Sequence, residues 1–173
     1  MAENVTRRAA CAGALLALGA LLGPAPQGAV AATGAPDTAH MAWRGAGSDP
    51  SIYWSRLVNG QWTRQQGFPA TTAREPDLAY VNGRAYMAWR GSGADNHIWW
   101  STFNGASWSG QRVLADRRTA NYPALGRGAG RLYMAWRGAG ADDHIWWSSF
   151  NGSAWSGQRV LADRRTSGAP GMS

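Results

Sequence analysis

The sequence predicts an all-β chain, a partial β-propeller of about three four-stranded antiparallel blades. Three observations predict it. The segment Ala85 to Thr119 returns almost unchanged as Leu132 to Thr166, and a weaker copy runs from His40 to Gln66. Trp43, Trp89 and Trp136 are 46 and then 47 residues apart, and the Trp54/Trp100/Trp147 and Trp62/Trp108/Trp155 series keep that spacing. The second copy places two Asn-Gly pairs, Asn82-Gly83 and Asn104-Gly105, between short aromatic runs. A period of this length is one supersecondary unit that must stack on its neighbours to bury its apolar faces. Four-stranded units of this size are propeller blades.

The chain opens differently. Arg7 and Arg8 precede an apolar run, Ala9 to Gly23, and Ala29-Val30-Ala31 has the small-x-small cleavage pattern. Residues 1–31 therefore read as a secretory signal peptide. The run is shorter than the ~20 residues of a membrane span. The expected location is secreted or extracellular, with no membrane span in the mature form. Cys11 is the only Cys, so packing alone holds the exported chain, without disulfides or thiolate metal sites. Residues 32–39 read as a linker and 40–173 as the propeller repeats.

Blade one, 40–68, is incomplete. It lacks the first hairpin, because Ala35 to Met41 stands where the second copy has Glu75 to Met87. Blade two, 75–114, is the full copy. Pro76 to Val81 is its first strand. Asn82-Gly83 suits a type I′ turn, which needs positive φ at both central residues. Arg84 to Arg90 returns, and Gly91 to Asn96 is a polar loop. His97 to Phe103 is a third strand dense in β-formers, with Ile98 and Trp100 on one face and Trp99 and Phe103 on the other. After Asn104-Gly105, Trp108 to Leu114 is the fourth strand. Blade three, 122–161, repeats the plan, and 166–173 is a C-terminal stub that begins another blade. Most Trp residues are expected in the cores between blades.

Up-and-down connections put the polar loops on one end of the blades. There blade two carries Arg90, Asp95 and His97, then Asp116-Arg117-Arg118 after its fourth strand. Blade three carries Arg137, Asp142 and His144, then Asp163-Arg164-Arg165. Blade one keeps Arg44 and Asp49 but has Ser51 for the His and no Asp-Arg-Arg run. Carboxylates and guanidinium forks pair with sugar hydroxyls, and a nearby indole stacks on a pyranose. The candidate ligand residues are Arg90, Asp95, His97, Asp116, Arg117, Arg137, Asp142 and His144, with Trp100 and Trp147. Asp95 and Asp142 fit two roles, since Asp in a turn also caps backbone N–H groups. His97 and His144 have no second His or Cys at ligand spacing, so no metal is expected. No cofactor is implied.

The pattern Pro123-x-Leu125 … Gly130-Arg131-Leu132-Tyr133-Met134-Ala135-Trp136-Arg137-Gly138 … Ile145-Trp146-Trp147-Ser148-Ser149-Phe150-Asn151-Gly152 … Trp155-Ser156-Gly157-Gln158 resembles the tandem blades of bacterial propeller lectins of the Photorhabdus lectin type. It is also similar to tachylectin-like repeats. The resemblance spans nearly all of 40–170. It implies a propeller that binds glycans or glycoconjugates at several sites between blades, without catalysis.

A second resemblance is to the sialidase hairpin box. Ser101, Gly105 and Trp108 fall at its offsets, as do Ser148, Gly152 and Trp155, but Phe103 and Phe150 stand at its Asp. A sialidase-like glycoside hydrolase fragment is the alternative function. Near-identical blades leave no unique positions for an acid/base and a nucleophile, so the expectation is no enzyme. The 17 Arg, with no Lys, give a net charge of +7. They alternate with Asp instead of forming a run, which argues against a nucleic-acid partner. Under three blades cannot close a ring. Either a homo-oligomer completes one, or the chain is a truncated, non-functional repeat protein.

Overall fold

The computed structural model describes residues 39–173. The expected signal peptide, residues 1–31, and the linker through residue 38 lie outside them. The described chain is all-β and propeller-like, with three antiparallel sheets of four strands each. No helix among the described residues is long and apolar enough to cross a membrane.

Blade two is a meander of β5 (Asp77–Val81), β6 (Arg84–Arg90), β7 (His97–Phe103) and β8 (Arg112–Arg118) in sequence order. Blade three repeats it with β9 (Ala124–Gly128), β10 (Arg131–Arg137), β11 (His144–Phe150) and β12 (Arg159–Arg165). Blade one has β1 (His40–Arg44), β2 (Ser51–Val58), β3 (Gln61–Trp62) and β4 (Gln66–Thr71). Both β3 and β4 pair with β2, so its four strands fill three strand positions. The first-hairpin position is the one left over.

The Asn82-Gly83 turn has φ of 50° and 78°, both positive as a type I′ turn requires. Asn59-Gly60 does the same at 50° and 74°. At the matching place in blade three, Ala129 is forced to φ 47° before Gly130. Asn104-Gly105 works otherwise. The Asn104 side chain accepts from the N–H groups of Ala106 and Ser107, both at 2.9 Å, and only Gly105 has positive φ.

The fourth strand is displaced from its expected place. Trp108 makes a single bridge to Phe103, and the strand proper is Arg112–Arg118. Blade two's sheet accordingly runs over 77–118 and blade three's over 124–165. A bulge between Ile98–Leu114 and His97–Arg118 lets β7 pair with β8 past Leu114. The Asp116-Arg117-Arg118 run thus lies within a bulged strand, where a free loop was expected. The bulge carries polar residues to the sheet end without breaking the pairing.

Two cores lie between the blades. Ile52, Trp54 and Phe68 of blade one pack with Ala85, Met87, Trp89 and Phe103 of blade two, with Trp99 and Trp108 at the margin. Tyr86, Ala88, Ile98 and Trp100 of blade two pack with Leu125, Leu132, Met134, Trp136 and Phe150 of blade three. The two faces of β7 therefore serve different neighbours. Trp54 meets Phe103 and Trp108 at 5.2 and 5.7 Å, and Trp100 meets Phe150 and Trp155 at 5.2 and 5.8 Å. Such ring pairs add about 0.5–1.5 kcal/mol each beyond area burial. Asp77 ties the first strands together, accepting from Leu125 N–H at 2.6 Å. Burial raises its pKa against the lowering effect of its N–H donors, Leu125 and Leu78.

The residues shared with the sialidase box serve the hairpin. Buried Ser101 and Ser148 donate to the carbonyls of Ser109 and Ser156 at 2.7 and 2.9 Å. Ser55 does the same to Thr63 at 2.7 Å.

Candidate functional site: the clefts between blades

Each blade fixes one carboxylate in the same way. Asp95 sits in the loop between β6 and β7. Its Oδ1 accepts from His97 N–H at 3.0 Å and faces His97 Nδ1 at 2.7 Å, while its Oδ2 accepts from Trp99 Nε1 at 2.8 Å. Asp142 has the same three partners, His144 N–H, His144 Nδ1 and Trp146 Nε1, at 3.0, 2.7 and 2.8 Å. In blade one, Asp49 accepts from Ser51 N–H at 2.9 Å and Tyr53 Oη at 3.0 Å. Burial pushes the Asp95 and Asp142 carboxyls up. The bonds from the His backbone, the His ring and the indole outweigh it and hold both below the usual range.

A glycine makes the arrangement possible. A Cβ on Gly91 would lie 2.1 Å from Asp95 Oδ2, and one on Gly138 would lie 2.2 Å from Asp142 Oδ2. The carboxylate occupies the space a side chain would need. The Arg-Gly-x-Gly-x-Asp spacing of every repeat is therefore a packing signature.

This carboxylate lines a cleft at each junction. The first, of about 500 Å3, is bounded by Pro69, Ala70 and Thr71 of blade one and by Trp89, Gly91, Asp95, Trp99 and Gln111 of blade two. The second, of about 240 Å3, is bounded by Asp116 and Arg118 of blade two and by Trp136, Gly138, Asp142, Trp146 and Gln158 of blade three. The two are equivalent positions of the repeat. Asp116 and Arg118 replace the smaller Pro69 and Thr71, and the second cleft is narrower and more charged. Gln158 donates across it to the Asp116 carbonyl at 3.2 Å.

The candidate residues separate on this frame. Asp95, Asp116 and Asp142 line the clefts. His97 and His144 act one step back, orienting the carboxylates. Arg137 lies outside the second cleft, its Nε donating to the Thr166 carbonyl of its own blade at 3.0 Å. Arg44 makes the same link to Thr72 at 3.3 Å. Arg90 lines neither cleft, and its Nε is buried without a partner. Arg117 is only 3% exposed. Its guanidinium lies over Trp136 and Trp155 at 5.9 and 5.8 Å and donates to the Ser156 carbonyl, so it packs blade against blade. Burial lowers its pKa, and Asp116 opposes that shift. Trp100 belongs to the second core, and Trp147 takes its place on the open side of blade three, under Arg159.

Arg118, which the sequence places on the polar face in the Asp116-Arg117-Arg118 run, lines the second cleft, and Trp99, Trp146, Gln111 and Gln158 line the clefts without being site candidates from sequence. The signal for the two Trp residues was present, four positions after the Asp and eight after the Gly. In blade three, Asp142, Asp143 and His144 bring three ligand-type atoms within 4.8 Å. Those groups are already engaged, Asp142 with His144 and Trp146, and Asp143 with Arg165 at 2.6 Å. The clefts offer an indole wall, a fixed acceptor, and amide, hydroxyl or guanidinium donors. Paired carboxylates do not recur, because Pro69 stands where the second cleft has Asp116.

No protein-family model matches the chain, and no curated protein matches it.

Proposed function

We propose that this chain is a secreted carbohydrate-binding propeller protein without catalytic activity, taking sugars in the clefts between its blades. The observation that carries the reading is the recurrence of one cleft at both junctions. Each has a Trp wall and an Asp locked in place by a Trp, a His and a backbone N–H. Preorganised acceptors beside an aromatic face suit the mixed polar and apolar surface of a pyranose. Repetition suits binding more than turnover, since weak equivalent sites on one rigid body gain by avidity. The lectin-like blade pattern of the sequence supports the same reading.

The test is a glycan-array screen of the protein beside a fluorogenic glycosidase panel. The reading expects bound glycans and no turnover. In Asp95→Ala/Asp142→Ala, affinity for the best glycan should fall at least about tenfold, because the wall loses its acceptor and its indole orientation. A folded double variant with unchanged binding rejects the site. Turnover of any glycoside favours the hydrolase alternative.

A further inference from the structure

The two outer blades carry halves of a junction that has no counterpart within the described chain. On blade three, the face of β11 and β12 turned away from blade two repeats the residues that blade two buries. Trp100 is 6% exposed, while Trp147 is half-buried. Ile98 is fully buried and Ile145 is not. Arg117 is buried on two indoles, while Arg164, its repeat equivalent, is exposed.

Blade one carries the complementary half. Met41 is 44% and Trp62 49% exposed, whereas Met87 and Met134, in the position of Met41, are fully buried. Leu57 stands where blades two and three have Phe103 and Phe150. Blade one also keeps half a cleft: Trp43, Gly45, and Asp49 bonded to Tyr53 at 3.0 Å. Gly45 is as necessary as its equivalents, since a Cβ there would lie 2.2 Å from Asp49 Oδ2. Blade three keeps the other half, Asp163 and Arg165, at the positions of Asp116 and Arg118.

We propose that a second copy of this chain covers these faces head to tail, blade three of one copy docking on blade one of the other. The internal junction supplies the contacts residue by residue. Trp147 fits against Leu57 and Trp62 of the other copy, as Trp100 fits against Phe150 and Trp155. Arg164 slides between Trp43 and Trp62, as Arg117 lies over Trp136 and Trp155. Two bare apolar faces of this kind mark an association surface. A joint between unlike faces is heterologous, so each copy offers one of each, and two copies satisfy all four. The joint also assembles a further cleft, with Asp163 and Arg165 of one copy facing Trp43, Asp49 and Tyr53 of the other. That this cleft takes sugar rests on the function proposed above; the docking does not.

Sedimentation velocity without sugar tests the joint apart from the function. The wild-type chain should sediment as two copies at micromolar concentration. Trp62→Glu and Trp147→Glu, on opposite faces, should each sediment as one copy. Their equimolar mixture should recover two-copy particles, because one intact joint remains between the unlike variants. A wild-type chain that stays single up to tens of micromolar overturns the proposal, and that result needs no variant. So does a mixture that remains single while its folded components match the wild-type near-ultraviolet circular dichroism. Absence of glycan binding by a two-copy particle would reject the sugar reading and leave the joint standing.

Discussion

Blades two and three are nearly the same sequence in different surroundings. From Ala85 to Thr119 and from Leu132 to Thr166 the strands, turns and Asp–His–Trp contacts coincide, yet Trp100 and Trp147 differ in burial. Thr119 and Thr166 differ likewise. Hydrogen bonding within the blade is thus local, while apolar burial belongs to the junction. Among the described residues blade two contributes half of two cores and half of two clefts, whereas blade three contributes half of one core and half of one cleft. A substitution should therefore have a cost set by its junction more than by its residue type.

The largest expected contrast is Trp100→Ala against Trp147→Ala. Removing Trp100 empties the second core and should cost about 3–5 kcal/mol. Removing Trp147 should cost about 1 kcal/mol when measured at dilutions that keep chains single. Urea denaturation checks both, and equal costs would break the comparison.

Gly91→Ala and Gly138→Ala should come next, at about 1–3 kcal/mol each, because a methyl cannot share space with the carboxylate. Gly157→Ala is the control. A Cβ there meets nothing within 4 Å, and its stability should stay within about 0.5 kcal/mol of wild type. Loss of glycan binding by Gly138→Ala with the Gly157→Ala protein unaffected would sharpen the link between packing and cleft.

Acid should separate the carboxylates. Asp95 and Asp142 are held below the ordinary value of 3.8, so their contribution is complete above it and is lost as pH falls through the folded pKa. Asp77 has the opposite sign. Its raised pKa makes its contribution complete below 3.8 and lost as pH rises through the folded pKa. Melting temperatures between pH 6 and 3 should therefore fall less steeply with acid in Asp95→Asn/Asp142→Asn than in wild type.

The smallest effect concerns the turn after β9. Ala129 holds a positive φ that Asn82 holds in blade two. Ala129→Asn should stabilise by about 0.5–1 kcal/mol, read from the same denaturation curves.

Local features were legible where one residue type has one conformational use. Asn82-Gly83 specified its turn, the Trp spacing specified the repeat, and the alternation along β7 specified two buried faces. Asp95 and Asp142 could be chosen as candidates because a polar loop at a sheet end has few other uses for them. Arg117 misled for a physical reason. An Asp-Arg-Arg run reads as a solvated exit loop until two indoles from the next blade take the guanidinium between them. Trp99 and Trp146 misled in the reverse direction, since core and cleft Trp residues alternate along one strand with the same composition. The bulge that carries β8 past Leu114 to Arg118 has no Gly or Pro among residues 115–118 to announce it.

Binding stoichiometry tests the central claim most directly, that one cleft recurs at each junction. Calorimetric titration of the wild-type protein with its best glycan should give at least two sites per chain. Asp95→Ala and Asp142→Ala should each remove about one of them. A single site per chain, unaffected by either substitution in folded protein, would contradict the account.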